Sequence, residues 1–351
     1  MKIIIISPYP LNHSGGVETF VKQLKKGLEK EKIEVEVVTL SKNQLKFIPK
    51  QFKLLTSLFL VRNLKKKNLN GSILHFNAWT SYLAKFFNNP SIATSHGTIV
   101  NMVNSSPQGF SFLRRGYLTK VTGFLERRGF NYCDKVVAVS EQVKKELIKD
   151  YSINEKKIKV INIGIDTAKA SGDLREQLGY SKKDVVLLTS GRGDYNKGMD
   201  LMLSIAEKMN SRHDSKFLAA GSSFIKKDVD WFKVKSFPKS KMPLVYSSAD
   251  IYLHASRYES YGLSLLEAMA QGLPVVSFDV GIASEAVKDG YNGFLIPKGD
   301  FNLFEKKVEE LITNKFLRKK LGKKARETIE KKFSIAKMVN EYISVYNSFL
   351  K

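Results

Sequence analysis

Apolar residues along the chain fall into short solid runs separated by longer stretches with helical spacing. Residues 2–7, 35–40, 72–77, 91–95, 135–140 and 160–163 form such runs in the first half. Residues 185–190, 216–220, 250–256, 275–278 and 294–297 form them in the second. Runs of four to seven apolar residues bounded by turn residues suit strands buried on both faces. Between the first two runs, Val17, Phe20, Val21, Leu24 and Leu28 recur at the period of an amphipathic helix. Strand, glycine loop, helix, strand is a βαβ unit with parallel strands. A second such series starts at residue 185, after a polar stretch at 167–184 containing Gly172 and Gly179, which reads as a linker. The pattern predicts an α/β protein with one domain over residues 1–166 and another over 167–335.

Bulk properties narrow the class. The chain has 351 residues, enough for two ordinary domains, and 43% of them are hydrophobic, which suits a packed fold. Its one cysteine, Cys133, excludes an internal disulfide. No apolar run approaches the roughly 20 residues of a membrane-spanning helix. No secretory signal is expected, and the expected location is cytoplasmic. The net charge of +24 is uneven. No acid lies between Glu36 and Glu126, a span with 12 basic residues. Within it, residues 42–67 interleave Phe47, Ile48, Phe52, Leu54, Leu55, Leu58, Phe59 and Val61 with eight cations, and residues 113–128 repeat the theme. Basic amphipathic stretches lie well in an anionic membrane surface. The other reading is ordinary helices whose apolar faces are core.

The chemistry concentrates at residues 249–274, A-D-I-Y-L-H-A-S-R-Y-E-S-Y-G-L-S-L-L-E-A-M-A-Q-G-L-P. An apolar run leads into a loop holding Glu259, Ser260, Tyr261 and Gly262. A helix over 264–271 follows. Free N–H groups at a helix start favour a phosphate, and the junction at Tyr261, Gly262 and Leu263 presents them. Glu259 and Glu267 flank that junction. Carboxylates repel phosphate and accept hydrogen bonds from hydroxyls, so a ligand carrying both phosphate and sugar hydroxyls satisfies every group. Against this, Ser264-x-x-Glu267 is also a capping box, which would tie off the helix start and do no more. Upstream, G-R-G-D-Y-N-K-G at 191–198 sets Arg192 and Lys197 beside a helix start, a good pair for a diphosphate. Gly15 and Gly16 open the first helix, where backbone can approach a ligand closely. His96 ends a strand, where parallel sheets bind ligands. Asp228-Val229-Asp230 has the spacing of a metal–diphosphate motif, yet stands far from any other carboxylates in the sequence. No metal and no cofactor are expected.

The string S-R-Y before Glu259 and E-A-M-A-Q-G-L-P-V-V from Glu267 resembles the donor-site signature of the retaining glycosyltransferases of family four, which have the GT-B fold. The resemblance extends over nearly the whole chain and is strongest over 191–297. It implies two Rossmann-like domains with parallel sheets facing across an interdomain cleft, and a last helix, 336–351, crossing back to the first domain. It implies a nucleotide-sugar donor, with Glu259 facing the transferred sugar, Glu267 on the ribose, His96 near the sugar, and Gly15 and Gly16 near the phosphates. Arg192 and Lys197 would neutralise the leaving diphosphate. The acceptor would be lipid-linked or a polysaccharide, met at the inner face of the cell membrane. Two alternatives stand beside it. A GT-B sugar-nucleotide epimerase would consume donor without acceptor. A non-catalytic polyanion-binding module would leave the second-half motifs unexplained; nucleic acid is not an expected partner.

Overall fold

The computed structural model describes residues 1–12, 15–41, 43–44, 53–105, 110–191, 195–221 and 229–350. The chain divides into two compact units, Met1–Gly164 with Ile335–Lys351, and Ile165–Ser334.

The first unit holds the strands β1 (Lys2–Ile6), β2 (Glu34–Val38), β3 (Ser72–Asn77), β4 (Ser91–Ser95), β5 (Lys135–Ala138) and β6 (Ile158–Val160). They form one sheet in the order β2-β1-β3-β4-β5-β6, and every pairing is parallel. Ile3, Ile4, Ile5 and Ile6 are fully buried, which explains their unbroken run: with helices on both faces a strand has no polar side to show. The helix Gly16–Lys30 buries Phe20, Val21, Leu24 and Leu28, the stripe expected from spacing.

The helix Ile335–Asn347 packs in this same unit. Its Tyr342 and Tyr346 are fully buried. His75 on β3 lies 2.7 Å by Nδ1 from Tyr346 Oη and 2.7 Å by Nε2 from Thr94 Oγ1, which is 2.9 Å from Tyr342 Oη. Burial, and then the neighbouring His96, pull the His75 imidazole down to about 3. A ring that is neutral when folded and protonated when unfolded below its ordinary value of 6.5 binds fewer protons in the native state. Stability contributed by this network is therefore complete above pH 6.5 and declines as pH falls towards 3. Thermal melts of the wild type should drop through this window, and His75→Gln should flatten the drop.

The second unit repeats the architecture with β7 (Val186–Ser190), β8 (Lys216–Ala220), β9 (Phe232–Lys235), β10 (Ile251–His254), β11 (Val275–Phe278) and β12 (Gly293–Ile296). The order is β12-β11-β10-β7-β8-β9, again all parallel. Leu187, Phe217, Phe232, Phe278, Phe304 and Leu321 form its core, with Phe217 and Phe232 stacked at 5.2 Å. The expectation of two parallel-sheet, Rossmann-like domains holds.

The stretch read as a linker does not behave as one. Leu174, Leu178 and Tyr180 are buried in the second unit, and the Arg175 guanidinium binds Asp250 at the foot of β10. Its polar composition hid three apolar anchors. Of the basic stretch at 42–67, Lys42 and residues 45–52, with Phe47, Ile48 and Phe52, lie outside the described residues. The helix Lys53–Lys65 buries Leu60 and Leu64 completely, so that face is core, while Leu58 is exposed.

Candidate functional site

Each sheet changes direction once. In the second unit the chain builds β7, β8 and β9 outward, then returns to lay β10 against the other edge of β7. Loops leaving the C-terminal ends of β7 and β10 thus emerge side by side, at the switch point where open α/β sheets bind ligands. Lys197 sits on the first of these loops and Glu259 on the second.

Their side chains meet. The Lys197 ammonium binds Glu259 Oε1. Two more groups reach the same oxygen: His254 Nε2 at 3.3 Å and Ser256 Oγ, donating at 3.2 Å. Glu259 is largely enclosed, with 11% of its side chain exposed. Burial opposes its charge, but the Lys197 ammonium and the His254 contact outweigh it and hold the carboxyl down at about 2. Glu259 therefore stays ionised throughout the physiological range.

Both loops are held in place. Arg257 forks onto Asp200 at 2.7 and 2.6 Å, donates to Tyr195 O and lies over the Tyr195 ring. It thereby ties the Glu259 loop to the Lys197 loop. Gly198 has φ +63°, and a Cβ there would lie 2.1 Å from Ala255 O. Gly281, at φ +62°, lets the next loop close onto Tyr261, where a Cβ would meet Tyr261 O at 2.3 Å. Ile282 N then donates to that carbonyl at 2.7 Å. Only glycine fits such approaches.

Glu267 belongs to a second cluster. The helix Leu263–Ala270 begins after Gly262, whose φ is +107°. Ser264 is thus already inside the first turn, and the Ser264–Glu267 capping box does not form. Tyr246 Oη donates to Glu267 Oε2 at 2.9 Å instead. Tyr246 and Tyr252 share Ser190 Oγ at 3.1 and 3.0 Å. Burial pushes Glu267 up, against the Tyr246 hydrogen bond and the charge of Lys239. Burial likewise pushes Tyr252 to about 12, and both Glu259 and Glu267 act on it in the same direction.

The two halves of the chain match different family models. Residues 171–328 match the model described as glycosyl transferases group 1, and residues 14–169 match glycosyltransferase family 4. The Staphylococcus aureus capsular polysaccharide biosynthesis glycosyltransferase CapM is 27% identical, over 73% of this chain and 74% of that protein. Sucrose-phosphate synthase from Thermosynechococcus elongatus superposes with a TM-score of 0.84 at 20% identity, covering 99% of both chains. The Anabaena protein HepE, in complex with UDP-glucose, gives 0.75 at 20% identity over 99% of this chain and 100% of that one. The chain is a glycosyltransferase with the GT-B fold.

The first unit of this glycosyltransferase has a switch point of its own, between β1 and β3. Gly15 ends the loop leaving β1 as the N-cap of the helix Gly16–Lys30, its carbonyl accepting from Thr19 Oγ1 at 2.8 Å. His96 follows β4. Its Nε2 is 3.2 Å from Asn77 Oδ1 at the end of β3, and Asn77 Nδ2 donates to Ile6 O. Because the amide nitrogen is spent on Ile6, the oxygen must accept, and His96 Nε2 carries the hydrogen. Enclosure of the ring lowers the His96 imidazole to about 4, so it is neutral at pH 7 and its Nδ1 is an acceptor.

Among the sequence-predicted residues, the structure brings Lys197 and Glu259 together. Glu267, Tyr261, Gly262 and Leu263 lie in the same unit; Gly15, Gly16 and His96 lie in the other. Arg192 lies outside the described residues, as does Asp228. Among the described residues, no three His, Cys, Asp or Glu side chains gather to hold a metal ion. Sequence reasoning missed His254, Ser256 and Tyr252. The available signal was their spacing: polar tips at every second position of a strand share one face.

Proposed function

We propose that this glycosyltransferase moves a hexosyl group from a nucleotide-sugar donor to a lipid-linked or polysaccharide acceptor, with retention at the anomeric carbon and without a metal. The observation that carries the reading is the enclosed Lys197–Glu259 pair at the β7/β10 switch point. An enclosed ion pair seldom stabilises a fold on balance, so its presence supports a role in function. In this reading Lys197, with Arg192, meets the diphosphate and stabilises the charge that develops as it departs. That is the work a metal would otherwise do. The backbone at Tyr261, Gly262 and Leu263, and that at Gly15 and Gly16, receive phosphate oxygens. Glu259 accepts from hydroxyls of the transferred sugar, Glu267 from the ribose, and neutral His96 orients the sugar by accepting at Nδ1. Retention follows from attack on the face the diphosphate leaves, with a phosphate oxygen as base. CapM, named for capsular polysaccharide biosynthesis, supports a glycan acceptor.

The deciding experiment is a thermal-shift panel of UDP, GDP and ADP, followed by the matching glucose and N-acetylglucosamine donors. One nucleotide should raise Tm by mass action, and its sugar should be turned over. No shift with any of them sinks the reading. Glu267→Ala should weaken the selected nucleotide about 10- to 100-fold, the worth of a charged hydrogen bond, while Tm falls little.

Peripheral attachment to the inner face of the membrane is part of the proposal. No helix among the described residues is long and apolar enough to cross a membrane. The helical stretch 112–132 exposes Phe112, Leu113 and Phe124 beside Arg114, Lys120, Arg127 and Arg128. Its one acid, Glu126, is buried, accepting from Ile99 N and Tyr151 Oη. That leaves a face of apolar tips and cations with no exposed acid, suited to anionic headgroups. Arg127→Glu with Arg128→Glu should cut binding to vesicles containing phosphatidylglycerol at least tenfold, each cation near such a surface being worth about 1 kcal/mol.

A further inference from the structure

His254 is the one imidazole of the second unit's site, and no role has yet been given to it. It is 3% exposed and sits on β10, a strand rather than a loop. Its Nδ1 lies 3.0 Å from Ser277 Oγ on β11, and with that hydroxyl donating to Nδ1 the ring carries its hydrogen on Nε2. The ring is therefore anchored on the neighbouring strand. Its Nε2 faces Glu259 Oε1 at 3.3 Å and Ser256 Oγ at 3.4 Å.

We propose that His254 is a positioning residue that keeps Glu259 aimed at the sugar when Lys197 turns to the diphosphate. The inference rests on the donor-site reading above. Three groups converge on Glu259 Oε1, and they differ in what else they must do. Lys197 has a long, rotatable stem and a second partner in the donor. Once its ammonium engages the leaving group, its hold on Glu259 weakens at the moment orientation matters most. His254 and Ser256 have no such second duty. Glu259 stands on a loop, and loop groups keep a productive geometry only where rigid elements support them. His254, braced across two strands, is that support. A positioning role predicts loss of turnover with donor binding kept, because the diphosphate and ribose contacts are untouched.

The test uses the full chain and the release of nucleotide from UDP-, GDP- and ADP-glucose and from UDP-N-acetylglucosamine, following whichever the wild type turns over fastest. His254→Ala should lower kcat about 30- to 100-fold, with KM for the donor within about twofold, as expected for a reacting group displaced by about an ångström. His254→Gln sets an amide nitrogen where Nε2 stands and should recover about tenfold of that loss; a packing role alone would show no such rescue. Ser277→Ala, which leaves His254 unbraced, should cost about threefold in kcat, the value of one hydrogen bond. Glu259→Gln is measured in parallel, and the double variant with His254→Ala should be no slower than Glu259→Gln alone, because the second change has nothing left to aim. Additive losses overturn the proposal, as does His254→Gln no better than His254→Ala. A folded His254→Ala with normal kcat overturns it too. If Glu259→Gln itself keeps full activity, or the wild type turns over none of the four donors, the donor-site reading fails and takes this inference with it. Should His254→Ala not fold, the Gln and Ser277 variants decide.

Discussion

Lys197→Ala should lower kcat by about 10²- to 10³-fold, the usual cost of one group that stabilises developing negative charge. Folding should survive, because the side chain lies on a loop whose shape is set by Arg257, Asp200 and Gly198 rather than by Lys197. The same change should alter the pH dependence. The carboxyl of Glu259 is held at about 2 because the Lys197 ammonium overcomes the effect of burial. Remove that cation and burial has less to oppose it, so the carboxyl titrates at higher pH. Residual activity of the variant should fall as the solution is acidified through the weakly acidic range, where the wild type stays flat. Steady-state kinetics from pH 4 to 8 on both proteins check this. A residual activity with the wild type's pH profile would mean that Lys197 does not govern the charge on Glu259.

Glu259→Gln should have an effect of similar size for the opposite reason. The variant keeps shape and loses charge, leaving the Lys197 ammonium enclosed without its counter-ion. Breaking an enclosed pair from one side costs about 3–5 kcal/mol when burial is complete, and less here because Lys197 retains some solvent contact. Tm should therefore drop visibly, and kcat should fall about 10²-fold or more through loss of sugar orientation. Bound nucleotide should restore part of the Tm, since a diphosphate supplies the missing negative charge. Calorimetry with and without the nucleotide selected by the panel checks it. An unchanged Tm in Glu259→Gln would show that solvent already neutralises the pair.

All strands but β9 were legible from the sequence, because strands enclosed on two faces cannot hide; β9, with only Phe232 of its four residues buried, was missed. Ile3–Ile6 and residues 250–256 admit no other structure so readily. Glu259 and Lys197 were legible because their loops carry glycines and charge together. What surrounds them was not. His254 and Tyr252 sit in an apolar run and read as core, which by burial they are; only the sheet order shows that β10 lies beside β7 and so beneath Lys197. Tyr246 reaches Glu267 from 21 residues away, a contact that no local pattern announces. The opposite failure occurred at 167–184, where polar composition suggested a connector. Leu174, Leu178 and Tyr180 are too few and too scattered to form a period, yet each is buried. In the basic stretch at 42–67 composition left a membrane-facing and a core reading open; Leu60 and Leu64 lie in the core and Leu58 is exposed.

The second unit leaves the first at Gly164 and hands the chain back at Ile335, and these junctions lie side by side: Ile165 N donates to Phe333 O at 2.9 Å, and Ile165 bridges Ser334. A ribosome making this chain therefore finishes the inner module while the outer one still lacks its last helix. His75 and Thr94, synthesised early, wait without Tyr342 and Tyr346 until some 250 further residues have emerged. Released chains that end just short of Ile335 should protect the module at 165–334 from protease and leave the opening 164 residues susceptible, an order of maturation that runs against the order of synthesis.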